Sequence, residues 1–191
     1  MKHIRKVISK LDCSKEVFMM TYMDLNHIAP IHRGLNSWVD TSTARITYSA
    51  ASSLQEVAFN ALVADKQGAY AEYYDEWMRQ SDGFFPDYGA KWLCSYPYDM
   101  FENYPGLYVK SSLKYECVQT MEFFATTDSM KLAEAAIQAY LETAAEDKLV
   151  VENLEWDRRN NTRKNSGTFH PLLPSGVVHW KGWMLSNYHA E

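Results

Sequence analysis

The strongest constraint on the fold is the residue pattern of the segment 114–154. A strand is predicted over residues 114–126, where four side chains alternate onto one face: Tyr115, Cys117, Gln119 and Met121. Asp128 is a suitable helix N-cap. An amphipathic helix is predicted over 129–146 because the apolar residues recur at helical spacing: Leu132, Ala136, Ile137, Tyr140, Leu141 and Ala144. With a further apolar strand over 148–154, this segment predicts a strand–helix–strand unit.

A second unit of the same kind is predicted nearer the N-terminus, from a β-branched and aromatic strand over 16–23, a helix over 30–39 and an alternating strand over 44–49. Two such units predict a single α+β domain over 1–191. Its sheet is expected to be ferredoxin-like, mixed or antiparallel, with helices on one face and with residues 54–110 as a helical, aromatic-rich insertion.

The unit that carries Asp128 resembles the ferredoxin-like cores of small phage-encoded enzymes such as the S-adenosylmethionine lyases. The resemblance covers only this unit and implies a fold. No catalytic motif of those enzymes can be carried over to residues of this chain.

Inside the predicted insertion, Ser53-Leu54-Gln55-Glu56 matches a capping box and predicts a helix that continues to residue 63. A second helix is predicted over 70–78. Residues 81–106 have no regular period and many Gly, Pro and Asp residues, so a long loop is expected there. Near the C-terminus, residues 176–185 predict a closing hairpin.

Composition excludes several classes of protein. No run approaches the roughly 20 apolar residues of a membrane span, and the N-terminus is too charged for a signal peptide, so a cytoplasmic protein is expected, in a cell or an infected host cell. The net charge of −5 makes nucleic-acid binding unlikely. Phosphate-binding glycine loops, the GxSxG elbow and the HExxH motif are absent from the sequence, and no cofactor is predicted.

Aromatic residues are concentrated in the acidic middle of the chain. Tyr and Trp dominate recognition surfaces, and interleaved carboxylates suit a basic partner. The leading hypothesis is therefore an accessory or inhibitory protein that docks on a basic surface of another macromolecule. Its predicted binding residues are Tyr70, Tyr73, Tyr74, Trp77, Tyr88, Trp92, Tyr96 and Tyr98. An aromatic core beneath a long loop is the alternative for the same residues.

Two other functions stay open. One is a small-molecule enzyme of the lyase or hydrolase type, with Glu116, Glu122 or His179 as acid or base. A carboxylate near aromatic rings can have a raised proton affinity, and a histidine exchanges protons near neutral pH, so both suit acid–base catalysis. The other is a structural subunit of a larger assembly, including a homo-oligomer.

His27 and His32 are five residues apart around Pro30, and at that spacing an ideal helix would place them about 140° apart around its axis. No metal site is therefore predicted. Basic side chains near a helix start favour an anion site at His32 and Arg33 instead. Arg158 and Arg159, from the basic run 157–164, are also assigned to anion binding.

Overall fold

The computed structural model describes residues 1–23, 27–36, 39–48, 55–61, 68–80, 90–95, 99–114 and 117–160. Seven strands and five helices occur in these ranges. The strands are β1 (Lys2–Lys10), β2 (Val39–Tyr48), β3 (Gln55–Ala61), β4 (Ala90–Ser95), β5 (Asp99–Tyr104), β6 (Leu107–Lys114) and β7 (Val118–Ala125). The helices are α1 (Lys15–Met23), α2 (Ile28–Ile31), α3 (Arg33–Asn36), α4 (Gly68–Gln80) and α5 (Met130–Arg159).

The strands form one antiparallel sheet in the order β1-β7-β6-β5-β4-β3-β2. Strands β2 to β7 follow one another as a meander, and β1 returns to pair with β7. The β5–β6 connection is a two-residue turn, Pro105-Gly106, because Tyr104 pairs with Leu107. Gly106 has φ +79°, and an added Cβ would lie 2.9 Å from Leu132, so the turn requires glycine for two reasons.

The core lies between this sheet and α5. Strand β6 alternates strictly, with Leu107, Val109, Ser111 and Leu113 buried. Helix α5 packs on β6 and β7, while α1, α3 and α4 pack against α5. The rings of Phe123 and Tyr140 meet edge to face at 5.4 Å, and Ile137 is fully buried beside them. In the described ranges, no helix is long and apolar enough to cross a bilayer.

The α+β class and the antiparallel sheet are confirmed, but the ferredoxin-like arrangement is not, since the sheet is a seven-stranded meander. Residues 16–23, predicted as a strand, belong to α1. Residues 148–154, also predicted as a strand, continue α5, and the helix predicted over 54–63 is replaced by strand β3. Strands β4 and β5 lie in the predicted loop 81–106, and β1 was not predicted at all.

Other predictions agree with the structure or lie outside it. The helix predicted over 70–78 is confirmed as α4, and the strand at 44–49 largely coincides with β2. The N-cap of α5 is Ser129 rather than Asp128, because the Ser129 hydroxyl accepts the Leu132 amide at 3.2 Å. The hairpin predicted over 176–185 lies outside the described residues.

Glu155 fixes the C-terminal end of α5 to the start of α1. Its carboxylate is 1% exposed, accepts hydrogen bonds from Arg158 (3.0 Å) and Arg159 (2.9 Å), and also receives the Ser14 backbone amide. The Arg158 guanidinium, with Arg159 and Ser14, lowers the Glu155 pKa to about 2 although burial acts in the opposite direction.

Replacing Glu155 by Gln is therefore expected to lower the free energy of unfolding by about 2 kcal/mol at pH 7, as for a lost charged hydrogen bond. A depressed carboxyl pKa stabilises the folded state above the unfolded-state pKa, and this stabilisation is lost as pH falls through the folded-state value. The difference between wild type and variant should shrink between about pH 4.5 and about pH 2. Urea unfolding across this range measures it, and a difference that is constant with pH would contradict the assignment.

Candidate functional site

A small pocket lies where α1, α2 and α3 meet α5 above strand β5. Its volume is about 50 Å³, enough for about four water-sized groups. Its titratable side chains come from α1, β5 and α5 and from the two ends of α2. The lining residues are Tyr22, His27, Ile28, His32, Leu35, Met100, Glu102, Tyr104, Thr143 and Asp147.

The two histidines converge because the helical path breaks at His32. His27 precedes α2, and His32 leaves the helical region with φ −91° and ψ 78°. Their Nε2 atoms are 3.2 Å apart. The prediction that these imidazoles point away from each other is therefore wrong, since it assumed one continuous helix through both residues.

Asp147 approaches the two histidines from α5. Its Oδ1 atom lies 3.4 Å from His27 Nε2 and 3.0 Å from His32 Nε2. Asp147 is 6% exposed, and among the described residues its buried Oδ1 has only the two imidazoles as polar neighbours. Three donor atoms from two separate parts of the chain thus form a triangle with edges of 3.0, 3.2 and 3.4 Å.

This triangle fits a metal ion. Three ligands that each lie about 2.1 Å from a metal, at right angles to one another, are separated by about 3.0 Å. Two imidazoles and one carboxylate on one face of the metal are the ligand set of non-haem Fe(II) oxygenases. The Asp147 oxygen also fits a ligand role, because it is buried and the two imidazoles are its only polar neighbours among the described residues.

Glu146 supports this ligand set from outside the pocket. Its Oε2 lies 2.8 Å from His32 Nδ1, so a proton on Nδ1 would direct the Nε2 lone pair towards the triangle. Burial lowers the His32 pKa, but the neighbouring carboxylates of Asp147 and Glu146 outweigh this and raise it. Burial raises the Asp147 pKa, and the two imidazoles outweigh that effect and lower it.

Sequence reasoning did not single out Asp147, and it counted Glu102 only among the acidic residues of the predicted docking surface. Asp147 lies seven residues after Tyr140, and Thr143 lies between them, so all three project from one side of α5. Glu102 alternates with Met100 and Tyr104 on β5, and all three line the pocket. In both cases the signal in the sequence is a carboxylate that shares the spacing of residues on the buried face.

The predicted docking surface is corrected in its described part. Tyr70, Tyr73, Tyr74 and Trp77 on α4 are all at most 6% exposed. The Tyr73 hydroxyl donates to the Pro105 carbonyl at 2.8 Å, and Tyr70 contacts Thr143. These rings form part of the core. Tyr88, Tyr96, Tyr98 and the side chain of Trp92 lie outside the described residues, so their role stays a prediction.

Of the three predicted catalytic residues, only Glu122 is among the residues that the structure describes. Glu122 lies on β7, pairs with Lys6 at 4.0 Å and does not line the pocket. Glu116 and His179 lie outside the described residues. Their catalytic role stays a prediction.

The four residues assigned to anion binding are also dispersed. His32 faces two carboxylates, and Arg33 is exposed. Arg158 and Arg159 lie about 18 Å further along α5 than Glu146, at 1.5 Å per residue, and pair with Glu155 and Asp12. An anion role for these residues stays a prediction.

Comparison with known sequences finds enzymes. No family model matches the chain. The putrescine 2-hydroxylase of Bordetella bronchiseptica is 27% identical over 180 residues, which cover 88% of this chain and 42% of that protein. The putrescine 2-hydroxylase of Ralstonia nicotianae is 27% identical over 184 residues, 90% of this chain and 50% of that protein. The chain therefore spans about half the length of these curated relatives.

Comparison with solved structures identifies the fold. A quaternary ammonium Rieske monooxygenase in complex with an inhibitor superposes with a TM-score of 0.71 and 13% identity, over 98% of this chain and 50% of the monooxygenase chain. Dicamba monooxygenase bound to 3,6-dichlorosalicylic acid gives a TM-score of 0.59 and 14% identity, over 95% and 58% of the two chains. The fold is thus that of about half of a Rieske monooxygenase chain.

These comparisons contradict the hypothesis of an accessory or inhibitory binding protein, because they point to oxygenases. A protein partner with a basic surface has no support from them. The alternative of a small-molecule enzyme agrees better, although the reaction class differs from the lyase or hydrolase that the sequence suggested.

Proposed function

We propose that this chain is the iron-binding half of an oxygenase that hydroxylates a small molecule. The observation that carries the proposal is the triangle of His27 Nε2, His32 Nε2 and Asp147 Oδ1, whose edges of 3.0 to 3.4 Å match a facial set of ligands. The relatives, which are hydroxylases, and the fold, which is shared with monooxygenases, support the same reaction class.

Each residue of the site has a separate task. His27, His32 and Asp147 would hold the metal, and Glu146 would keep the His32 ring in the tautomer that presents Nε2. Ile28, Leu35 and Met100 give the pocket apolar walls that exclude bulk water from the reacting groups. Bound Fe(II) would supply the activation of dioxygen.

The reaction balances as a monooxygenation. One oxygen atom of O₂ enters a C–H bond of the substrate to give an alcohol, and the other leaves as water after taking up two protons and two electrons. The electrons come from a separate donor of the iron–sulfur class, a group that cysteines and histidines can hold. No cysteine is among the described residues that line the pocket.

Metal binding by the purified chain tests this proposal first. After anaerobic incubation with Fe(II) and removal of unbound metal, elemental analysis should find about one iron per chain, as a single facial site requires. The loaded chain should then convert an aliphatic substrate to its alcohol with hydrogen peroxide, which supplies the oxygen atom and both oxidising equivalents without an electron donor.

A chain that retains no Fe(II), or that retains only zinc and hydrolyses esters or amides, would contradict the proposal. His₂-carboxylate zinc sites with an open position catalyse hydrolysis, so the identity of the retained metal decides between the two chemistries.

A further inference from the structure

Glu102 is a buried carboxylate in the same pocket as the metal triangle. It is 6% exposed and lies on β5 between Met100 and Tyr104, on the strand face that lines the pocket. The Tyr104 hydroxyl donates to Oε2 at 2.5 Å, and the Tyr140 hydroxyl donates to Oε1 at 2.7 Å. Two tyrosines therefore fix the orientation of this carboxylate.

The charge of Glu102 has no cationic partner among the described side chains. None of their ion pairs includes Glu102, whereas the similarly buried Glu76 on α4 is paired with Arg79 and Lys131. Burial raises the Glu102 pKa to about 7, even though both tyrosine hydroxyls oppose the shift. An ionised carboxylate removed from water is strongly destabilised unless a cation compensates it.

The rest of the pocket suits the hydrocarbon part of a cation. The rings of Tyr22 and Tyr104 line it, and aromatic faces attract ammonium groups. Ile28, Leu35 and Met100 provide apolar contacts for methylene groups. The pocket is small, which favours a short aliphatic group over a large ring system.

We propose that Glu102 is a specificity-determining residue that pairs with the ammonium group of a short aliphatic amine and holds the amine beside the metal triangle. This inference rests on the proposed function, because it identifies the substrate class of that same pocket. Each oxygen of Glu102 already accepts one tyrosine proton and retains a lone pair for an ammonium hydrogen. The tyrosines thus position the carboxylate, and the carboxylate selects a positively charged substrate group.

Calorimetric titration of the wild-type chain with n-butylamine and with 1-butanol is the first experiment. The two probes have nearly the same shape, and only the amine is cationic at pH 7.5. Butylamine should bind more than about tenfold more tightly than butanol, because it forms a charge-assisted hydrogen bond that the alcohol lacks. Equal affinity for the two probes, or no butylamine binding, overturns the inference without any need for a variant.

The second experiment replaces Glu102 by Gln, an isosteric change that can still accept one tyrosine hydrogen bond. Butylamine affinity should fall more than about tenfold and butanol affinity should stay the same. Glu76→Gln is the matched control, since Glu76 is a buried carboxylate outside the pocket lining, and it should leave both affinities unchanged. An unchanged butylamine affinity in a folded Glu102→Gln chain overturns the inference.

Titration with Co(II) separates this inference from the proposed function. Co(II) affinity should be the same for wild type and Glu102→Gln, because Glu102 is not a member of the metal triangle. If the wild-type chain binds no Co(II) or Fe(II) but loses butylamine on the Glu102→Gln change, the metal proposal fails and the amine site stands. If the wild-type chain binds metal but butylamine binds equally to wild type and Glu102→Gln, the amine site fails and the metal proposal stands.

Discussion

Replacing Asp147 by Asn is expected to lower Fe(II) affinity by more than about 100-fold, since loss of a direct ligand should exceed the 10- to 100-fold effect of losing a supporting residue. Asp147 supplies the only carboxylate of the triangle, and a neutral amide oxygen neither balances the metal charge nor binds it as strongly. The two side chains have nearly the same shape, so the packing of α5 against α1 and α3 should persist. Anaerobic competition titration against a coloured chelator measures the affinity.

The matched control for this change is Asp12→Asn. Asp12 is exposed and pairs with Arg159 at the far end of α5, so its loss should leave Fe(II) affinity unchanged. Circular dichroism and urea unfolding of both variants would show that each is folded. Wild-type Fe(II) affinity in a folded Asp147→Asn chain would refute the assignment of the metal triangle, and with it the proposed function.

The parts of the fold that the sequence predicted are those where local pattern and tertiary burial agree. The repeat along α4 has one buried side, and that side packs on α5. Residues 16–23 show the opposite case. Their β-branched and aromatic content favours a strand, but Ser14 caps a helix by accepting the Val17 amide at 3.3 Å, and Val17, Phe18 and Met19 are all buried. Burial on several sides outweighs strand propensity here.

Strand β3 shows how a local helix signal can be overridden. The capping box at residues 53–56 favours a helix, but residues 55–61 pair with β2 on one side and β4 on the other. A central strand forms hydrogen bonds along both edges, and these long-range partners cannot be read from the segment itself. The same reason explains why β4 was predicted as loop.

The sequence indicated only part of the site. The spacing of His27 and His32 predicts that an ideal helix separates them, and the non-helical backbone at His32 has no clear sequence signal. Asp147 fell between a predicted helix and a predicted strand. Only the uninterrupted 30-residue α5 places it on the same side as Tyr140 and Thr143. Convergence of residues more than a hundred positions apart is a property of the tertiary structure.

The aromatic residues of α4 had two interpretations at the level of sequence, a docking surface and an internal core. Tyr and Trp serve both purposes, because they combine apolar area with a polar group. Burial decides between the interpretations: Tyr73 is 2% exposed and its hydroxyl is satisfied by the Pro105 carbonyl. A high density of tyrosines alone therefore indicates residues packed in the core. It indicates function only where the rings line a pocket, as those of Tyr22 and Tyr104 do.

Glu146 tests whether a residue that does not bind the metal positions the metal ligand His32. Its carboxylate is 39% exposed and contacts His32 Nδ1 at 2.8 Å, so Glu146→Ala should remove an orienting hydrogen bond with little loss of packing. Fe(II) affinity is expected to fall about 10- to 100-fold, the usual effect of losing such a partner. Glu146→Gln, whose amide oxygen can still accept the Nδ1 proton, should retain most of the affinity.

Glu142→Ala is the matched control for position 146, because Glu142 lies one turn earlier on α5 and bonds the Ala69 amide instead of a histidine. Its Fe(II) affinity should equal that of the wild type. If all three variants bind Fe(II) equally, the His32 ring is held by its buried surroundings alone. A loss confined to Glu146→Ala, with recovery in Glu146→Gln, would show that hydrogen bonding at Nδ1 presents Nε2 to the metal, since general loosening of α5 would affect position 142 as well.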